Sequence, residues 1–484
     1  MVHGSPADAF SPKTIAMMNP EERQALVSEM QVRLDENIVG RQFFEEFPWP
    51  LGAKVGLDEK DNVITVDLDQ RLMAYSDTAE IEDLSDHLFD VLWPFMQRVG
   101  EATGLKFLYG GREAELLGDD PAAGEPPASR RVRREADPRP LLVVSPGHGV
   151  YFHGGYKDWR AQRDPANGVL EDDITTAIAG RLEDALERDN VRVDNLRPER
   201  QPFAHAPSKQ PWWRLAVRYQ LEQKYPTLEN VWQSKPGDKS PMKQRNEDIR
   251  SRPFYANHVK ADALLHIHTN ASGDASVSGL RAYVARRSED KVLAERILCS
   301  ARELLQTDAR FSGYQVDTKP SFVFDKGEVN YAKMPSVIVE VGFHTNAQDA
   351  LLLRERAFQV LSMRGVAKGY RLYRNKRPCE DFAVKPAEEV TGRVGVDVQL
   401  PFSFKGNPVY PIRVWSRDEK CTYRGCHNVD KTLSGPSDLE KFKLKYLCKR
   451  EDLQRPPIEL TVGAKDFDGV RAAPATLKVS CKAG

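Results

Sequence analysis

Four residues of this chain are of types that can activate water, three of them on strands or their ends and one at a helix start. Glu340 sits in M-P-S-V-I-V-E-V-G-F-H-T-N (334–346), a carboxylate inside a β-branched run between a proline and a glycine. An ionised carboxylate in such a strand is costly unless it is paired or serves a metal site. His148 follows the apolar run Leu141–Val144 in S-P-G-H-G, where small neighbours let the backbone turn and leave the imidazole at a strand's carboxyl end. His266 and His268 are two apart in A-L-L-H-I-H-T-N, so they share one strand face. His268 is nearer the carboxyl end, and His266 lies one step deeper. Glu171 opens a helix in V-L-E-D-D, ahead of the periodic face Ile174, Ile178, Leu182, Ala185 and Leu186.

Two imidazoles and one carboxylate make a zinc-type donor set that leaves a position for water, whereas magnesium favours carboxylates. With His148, Glu171 and His268 as donors, zinc would polarise a carbonyl and bring the pKa of a water to about 7. Glu340 is then the carboxylate left to carry a proton. Singly, each residue has a plainer reading. Glu340 suits a bridge to a structural arginine, and an acid such as Glu171 is the ordinary preference at a helix N-terminus.

The elements around these residues alternate. Apolar strands at Leu141–Val144, Val191–Leu196, Ala261–Asn270 and Val337–Val341 are separated by helical patterns, which predicts a doubly wound α/β sheet over 141–376. Cys299, in a helix near Val292–Leu305, reads as a small buried hydrophobe. Residues 198–244 interrupt the alternation with Pro211-Trp212-Trp213 and a helix over Trp213–Lys224. So long an excursion is a candidate gate, and its tryptophans suit either sugar stacking or packing on the sheet. His205 reads as a surface histidine.

Upstream, residues 12–117 predict a small α+β domain. Asn19-Pro20-Glu21-Glu22 starts a helix, Asn62–Leu68 alternates as a strand, and Ile81–Ala102 is an amphipathic helix interrupted by Pro94. Residues 118–140 are a Pro- and Arg-rich linker whose Arg130, Arg131, Arg133 and Arg134 read as solvated charge. Beyond 379 the pattern changes to short alternating strands (Val394–Leu400, Pro408–Val414, Ile458–Val462), which predicts a β-sandwich-like domain over 379–484.

At 484 residues the chain exceeds one core, and a net charge of −1 with both signs dispersed offers no nucleic-acid surface. No apolar run reaches the length of a membrane span. The opening M-V-H-G-S-P-A-D lacks the apolar core of a signal peptide, so the expectation is a cytosolic protein or one whose leader has been removed. Four of the six cysteines (Cys421, Cys426, Cys448, Cys481) fall in the last region without zinc-ribbon spacing, so disulfides are expected, with Cys379 pairing to any of the four.

The ordered motifs S-P-G-H-G, V-L-E-D-D, A-D-A-L-L-H-I-H-T-N-A and P-S-V-I-V-E-V-G-F-H-T-N resemble those of the zinc-dependent N-acetylmuramoyl-L-alanine amidases of the amidase_3 type, over about residues 140–372. The resemblance implies one zinc ion on His148, Glu171 and His268, with Glu340 as the catalytic carboxylate. It implies a peptidoglycan substrate, cleaved between the lactyl group of N-acetylmuramic acid and L-alanine. It implies a periplasmic or secreted, cell-wall-associated protein, with a protein activator or wall anchor met by a flanking region. Arg281, in S-G-L-R-A-Y, is a candidate for a stem-peptide carboxylate, and Trp212 and Trp213 for sugar. The alternatives are a zinc carboxypeptidase acting on stem peptides and a non-catalytic wall-binding or activator protein. The stretch after Asn270 is short and leaves no room for a self-blocking helix there.

Overall fold

A computed structural model describes residues 14–38, 50–74, 78–96, 98–99, 104–113, 137–198, 203–386, 389–422, 425–455 and 457–484. Most of the expected linker, with its four arginines, lies outside the described residues. The chain divides into two compact units, residues 1–298 with 315–371, and residues 299–314 with 372–484.

The first unit opens with α1 (Pro20–Ile38). Its start is a reciprocal cap: Asn19 Oδ1 accepts from Glu22 N (2.8 Å) and Glu22 Oε2 from Asn19 N (2.9 Å). Leu26, Met30, Leu34 and Ile38 recur every fourth residue and form its buried stripe. There follow β1 (Ala53–Asp58), β2 (Val63–Leu68), α2 (Thr78–Met96), β3 (Gly104–Tyr109) and the short β4 (Arg112–Glu113). The motif-bearing half continues with β5 (Leu141–Pro146), a small hairpin of β6 (Tyr151–His153) and β7 (Asp158–Arg160), then α3 (Glu171–Arg188) and β8 (Arg192–Asn195). After it come α4 (Val217–Lys224), α5 (Glu229–Trp232), α6 (Lys243–Val259), β9 (Ala263–Asn270), β10 (Arg281–Val284) and α7 (Ser288–Leu305). The unit closes with β11 (Ser321–Val323), α8 (Gly327–Asn330), β12 (Ser336–Phe343), α9 (Ala347–Arg354) and α10 (Arg356–Arg374).

Ten strands make one mixed sheet in the order β1-β2-β3-β11-β10-β12-β9-β5-β8, with β4 beside β3. The strands β12, β9, β5 and β8 run parallel, as the apolar alternation predicts. β9 and β12 are buried at every position.

The first hundred residues depart from the expectation of a separate domain. Their strands continue the central sheet, because β3 pairs in parallel with β11, Phe322 opposite Gly104 and Val323 opposite Leu105. Gly104 permits the approach, since a Cβ there would lie 3.0 Å from the Phe322 Cβ. One core accordingly joins Leu68, Leu88 and Phe107 with Tyr283, Val323 and Ile338.

The second unit is a β domain of β13 (Ala383–Pro386), β14 (Val390–Arg393), β15 (Asp397–Gln399), β16 (Phe402–Lys405), β17 (Ile412–Arg417), β18 (Asn428–Leu433), β19 (Lys445–Leu447), β20 (Ile458–Lys465) and β21 (Ala475–Lys482). Its five-stranded sheet runs β14-β21-β20-β17-β18, and β13–β16 and β15–β19 form two-stranded ribbons. Three disulfides are present: Cys299–Cys379, Cys421–Cys426 and Cys448–Cys481. The first corrects two expectations. Cys379 pairs backwards, and Cys299 is no buried hydrophobe, because it sits half-buried at the margin of its helix face, where a second thiol can reach it.

Candidate active site

The site is built on a backbone turn that needs help to stay turned. β5 runs out into Gly147 and His148, and Gly147 N donates to Ile267 O (2.8 Å). A Cβ on Gly147 would fall 2.6 Å from atoms of the His268 ring, so the glycine makes room for that imidazole. His148 has φ 56°, a left-handed conformation that costs an ordinary residue roughly 1–2 kcal/mol. Two buried guanidiniums hold it. Arg197 donates to the carbonyls of Gly147 (2.5 Å), His148 (2.8 Å) and Asp172 (2.5 Å). Arg252 donates to those of Pro146 (2.6 Å) and His148 (2.8 Å) and to Ser145 Oγ (2.8 Å). Burial and the neighbouring Arg252 push Arg197 down to about 10, so it stays charged at neutral pH.

The turn also fixes which nitrogen of His148 faces inward. Gln162 donates its amide to Asp248 Oδ2 (3.0 Å), leaving its carbonyl oxygen 3.3 Å from His148 Nδ1. Nε2 lies on the other edge of the ring, 3.3 Å from Glu171 Oε1, and accepts from Arg163 Nε (3.3 Å). Glu171 is the first residue of α3, and its Oε1 accepts from Thr269 N (2.9 Å). His268 Nδ1 lies 3.1 Å from the same oxygen. Donor atoms of His148, Glu171 and His268 all fall within 4.8 Å of one another, and all three residues are buried. Burial works to raise the Glu171 carboxyl, but the two imidazoles hold it well below the usual carboxylate range.

Two ligands about 2.0–2.1 Å from a tetrahedral zinc stand about 3.3 Å apart. The observed 3.3 and 3.1 Å match that spacing, and two neutral nitrogens with one carboxylate suit the ion. The three residues fit a metal. Glu340 is directly opposite His268 in the parallel β9–β12 register, so both side chains leave the same face of the sheet. It is 8 % exposed and opens onto the pocket that holds the three donors.

Residues 142–371 match the family profile described as Amidase_3, N-acetylmuramoyl-L-alanine amidase. The matched segment is just under half of the chain and contains His148, Glu171, His268 and Glu340. The N-acetylmuramoyl-L-alanine amidase LytC of Bacillus subtilis is 31% identical over 27% of this chain and 26% of its own length. The germination-specific N-acetylmuramoyl-L-alanine amidase of the same organism is 22% identical over 48% of this chain and 79% of its own length. This chain thus spans about a quarter of the first relative and about four fifths of the second. Among solved structures, the CwlD amidase of Clostridioides difficile, in complex with the GerS lipoprotein, is 16% identical over 49% of this chain and 100% of that one, with a TM-score of 0.33.

In the matched segment the other sequence-derived candidates lie apart from His148, Glu171 and His268. Arg281, on β10, stands opposite Glu340 in register. Its guanidinium is ion-paired with Asp90 of α2 and lies over the rings of Phe343 (4.7 Å) and Trp93 (5.4 Å). It does not line the pocket, so the structure gives no support to a stem-peptide contact there. Trp212 and Trp213 are half-buried in a short turn, Trp212 packing against the cluster of Val150, Leu215 and Met242. The 198–244 excursion is built into the fold, for Val217, Leu221, Val231 and Trp232 belong to the core beneath α6. Its removal would take out part of that core, so deletion is no clean test of a gate.

Two pocket residues escaped the sequence reading. Arg163 places Nε 3.3 Å from His148 Nε2 and 3.8 Å from Glu171 Oε2. Glu328, in the single-turn α8, lies 3.1 Å from His268 Nε2. The available signal for Glu328 was weak, an acid in G-E-V-N between two strands.

Proposed function

We propose that this protein is a zinc-dependent N-acetylmuramoyl-L-alanine amidase, hydrolysing the amide between the lactyl group of N-acetylmuramic acid and the L-alanine of the stem peptide. The observation that supports it most is the convergence of His148, Glu171 and His268 with Glu340 beside them on the same sheet face. His148, Glu171 and His268 would hold a zinc ion, which would supply Lewis acidity to acidify a water and polarise the scissile carbonyl. Glu340 accepts the proton of the attacking water as its oxygen bonds to the carbonyl carbon. It then returns that proton to the departing alanine nitrogen as the carbon–nitrogen bond breaks, giving a free lactyl carboxylate and a peptide amine. Arg163 adds fixed positive charge to the pocket where negative charge grows on the carbonyl oxygen.

Three disulfides favour work outside the reducing cytosol, in the periplasm or at the wall, and the amidase relatives support the same place. The β domain is our candidate for the wall- or partner-facing module. Among the described residues no helix is long and apolar enough to cross a membrane. The test is mass spectrometry of fragments released from purified peptidoglycan by the zinc-loaded protein and by Glu340→Gln. Stem peptides with free N-terminal alanine, lowered about 10²–10⁴-fold in the variant at unchanged zinc content, are expected. Cleavage within the stem peptide instead would reassign the protein as a zinc peptidase.

A further inference from the structure

We infer that Glu328 is the positioning residue that fixes the ring of His268 for metal binding, a role that rests on the metal reading of the site. Each imidazole has two nitrogens on different edges of the ring, and only the unprotonated one can be a ligand. For His148, Gln162 takes the Nδ1 side, and Nε2 lies on the side of Glu171, with Arg163 Nε 3.3 Å from it. For His268 the ring is turned the other way, with Nδ1 3.1 Å from Glu171 Oε1 and Nε2 3.1 Å from Glu328 Oε2. Glu328 therefore stands across the ring from the donor set. A carboxylate against Nε2 accepts only from a protonated nitrogen, so Nδ1, the edge that faces Glu171, is the nitrogen left to give up its proton and bind a metal. A carboxylate in this place also makes the imidazole a stronger donor.

The carboxylate is itself anchored. Arg252 Nε is 3.3 Å from Glu328 Oε1, and the same guanidinium bonds Asp248 Oδ2 (2.8 Å) and the carbonyl of His148 (2.8 Å). One fully buried arginine thus ties the backbone of the first histidine to the partner of the second. His266, on the same strand face, lies 3.7 Å from Glu328 Oε1 and limits how far the carboxylate can swing. Glu340 and Glu328 both open onto the pocket, but only Glu328 touches the far nitrogen of a donor. The two carboxylates divide the work, one carrying a proton and one holding a ligand.

The experiment measures zinc affinity by competition with a chromogenic chelator for the full chain, Glu328→Ala and Glu328→Gln, with circular dichroism to check folding. Alongside it, ¹⁵N-histidine spectra of the zinc-loaded proteins report which nitrogen of His268 carries the proton. The expected result is a loss of about 10–100-fold in affinity for Glu328→Ala. Glu328→Gln, whose side-chain carbonyl still accepts from Nε2, recovers part of that loss. Wild type shows protonated Nε2. Unchanged affinity in Glu328→Ala, or a wild-type proton on Nδ1, overturns the assignment. A wild-type protein that binds no zinc overturns the metal reading itself, a different failure from a wild type that binds zinc while Glu328 proves indifferent.

Discussion

Replacing Gly147 by alanine adds one methyl group and should disable the site. The backbone at Gly147 is outside the left-handed region, so alanine meets no conformational penalty there and the effect is purely steric. The new Cβ would stand 2.6 Å from His268 Cε1 and Nδ1. Unbonded heavy atoms settle about 3.5–4.0 Å apart, so ring or turn must yield by about 1 Å. The turn is held by the three Arg197 bonds and the Gly147–Ile267 bond, and His268 is packed at 6 % exposure. Overpacking of this kind costs about 1–3 kcal/mol. Because Nδ1 is the atom displaced, the metal loses more than the fold does. Ligand distances tolerate only about 0.2 Å, so a retreat of that size removes one of three donors. Zinc affinity should fall at least about 100-fold, equivalent to about 2.8 kcal/mol, while the melting temperature drops by a few degrees. Chelator competition and calorimetry on the same preparation read both. A variant binding zinc within threefold of wild type would show that the ring has room, and the steric argument would fail.

Other consequences follow from the same contacts. Arg197→Met removes one charged donor from each of the carbonyls of Gly147, His148 and Asp172, while Thr175 Oγ1 still serves the first and Arg252 the second, at about 1.5–3 kcal/mol per charged bond lost. A melting temperature within a degree of wild type would contradict the clamp. In the metal-free protein burial opposes protonation of His268, but Glu328 and Glu171 raise it to about 10, so at neutral pH a proton must leave when metal arrives. Zinc affinity should therefore rise with pH, about tenfold per unit for each proton released. Isothermal titration in buffers of different ionisation enthalpy counts that proton, and a count of zero refutes the prediction. Cys299→Ser with Cys379→Ser opens a loop of 80 residues, worth about 4 kcal/mol in loop-closure entropy. Thermal unfolding of the β domain should shift down while zinc affinity holds, and an unshifted transition would remove the disulfide from the stability account.

The sequence showed the candidate donors because each stands where a pattern breaks. A glutamate among valines, a histidine in a glycine turn and an acid at a helix start are local irregularities in otherwise regular elements, and β9 and β12 were legible from their apolar runs. What stayed hidden depends on contacts between distant segments. Glu328 gains its meaning from a histidine sixty residues earlier and an arginine seventy-six residues earlier, neither of which local spacing reveals. β11 is three residues long, too short to alternate visibly, yet it carries the pairing that brings β3 into the sheet. Arg281 follows the same logic. Next to a metal-type site it reads as a substrate contact, and the positions of Asp90, 191 residues away along the chain, and of Asp317 show that its charge is already answered.

The family match begins at residue 142, but the sheet does not. A polypeptide trimmed to the matched residues would retain every donor and yet lose the strand beside β11, baring an edge that invites pairing with other chains. It would uncover Tyr283, whose ring meets Phe89 at 5.2 Å, together with Val323 and Ile338. Arg281 would lose Asp90 and keep the more distant Asp317, 3.8 Å away. The smallest piece able to fold and work is thus larger than the piece that carries the motifs. Recombination, truncation and design on this chain have to cut where the hydrogen-bond ladder ends.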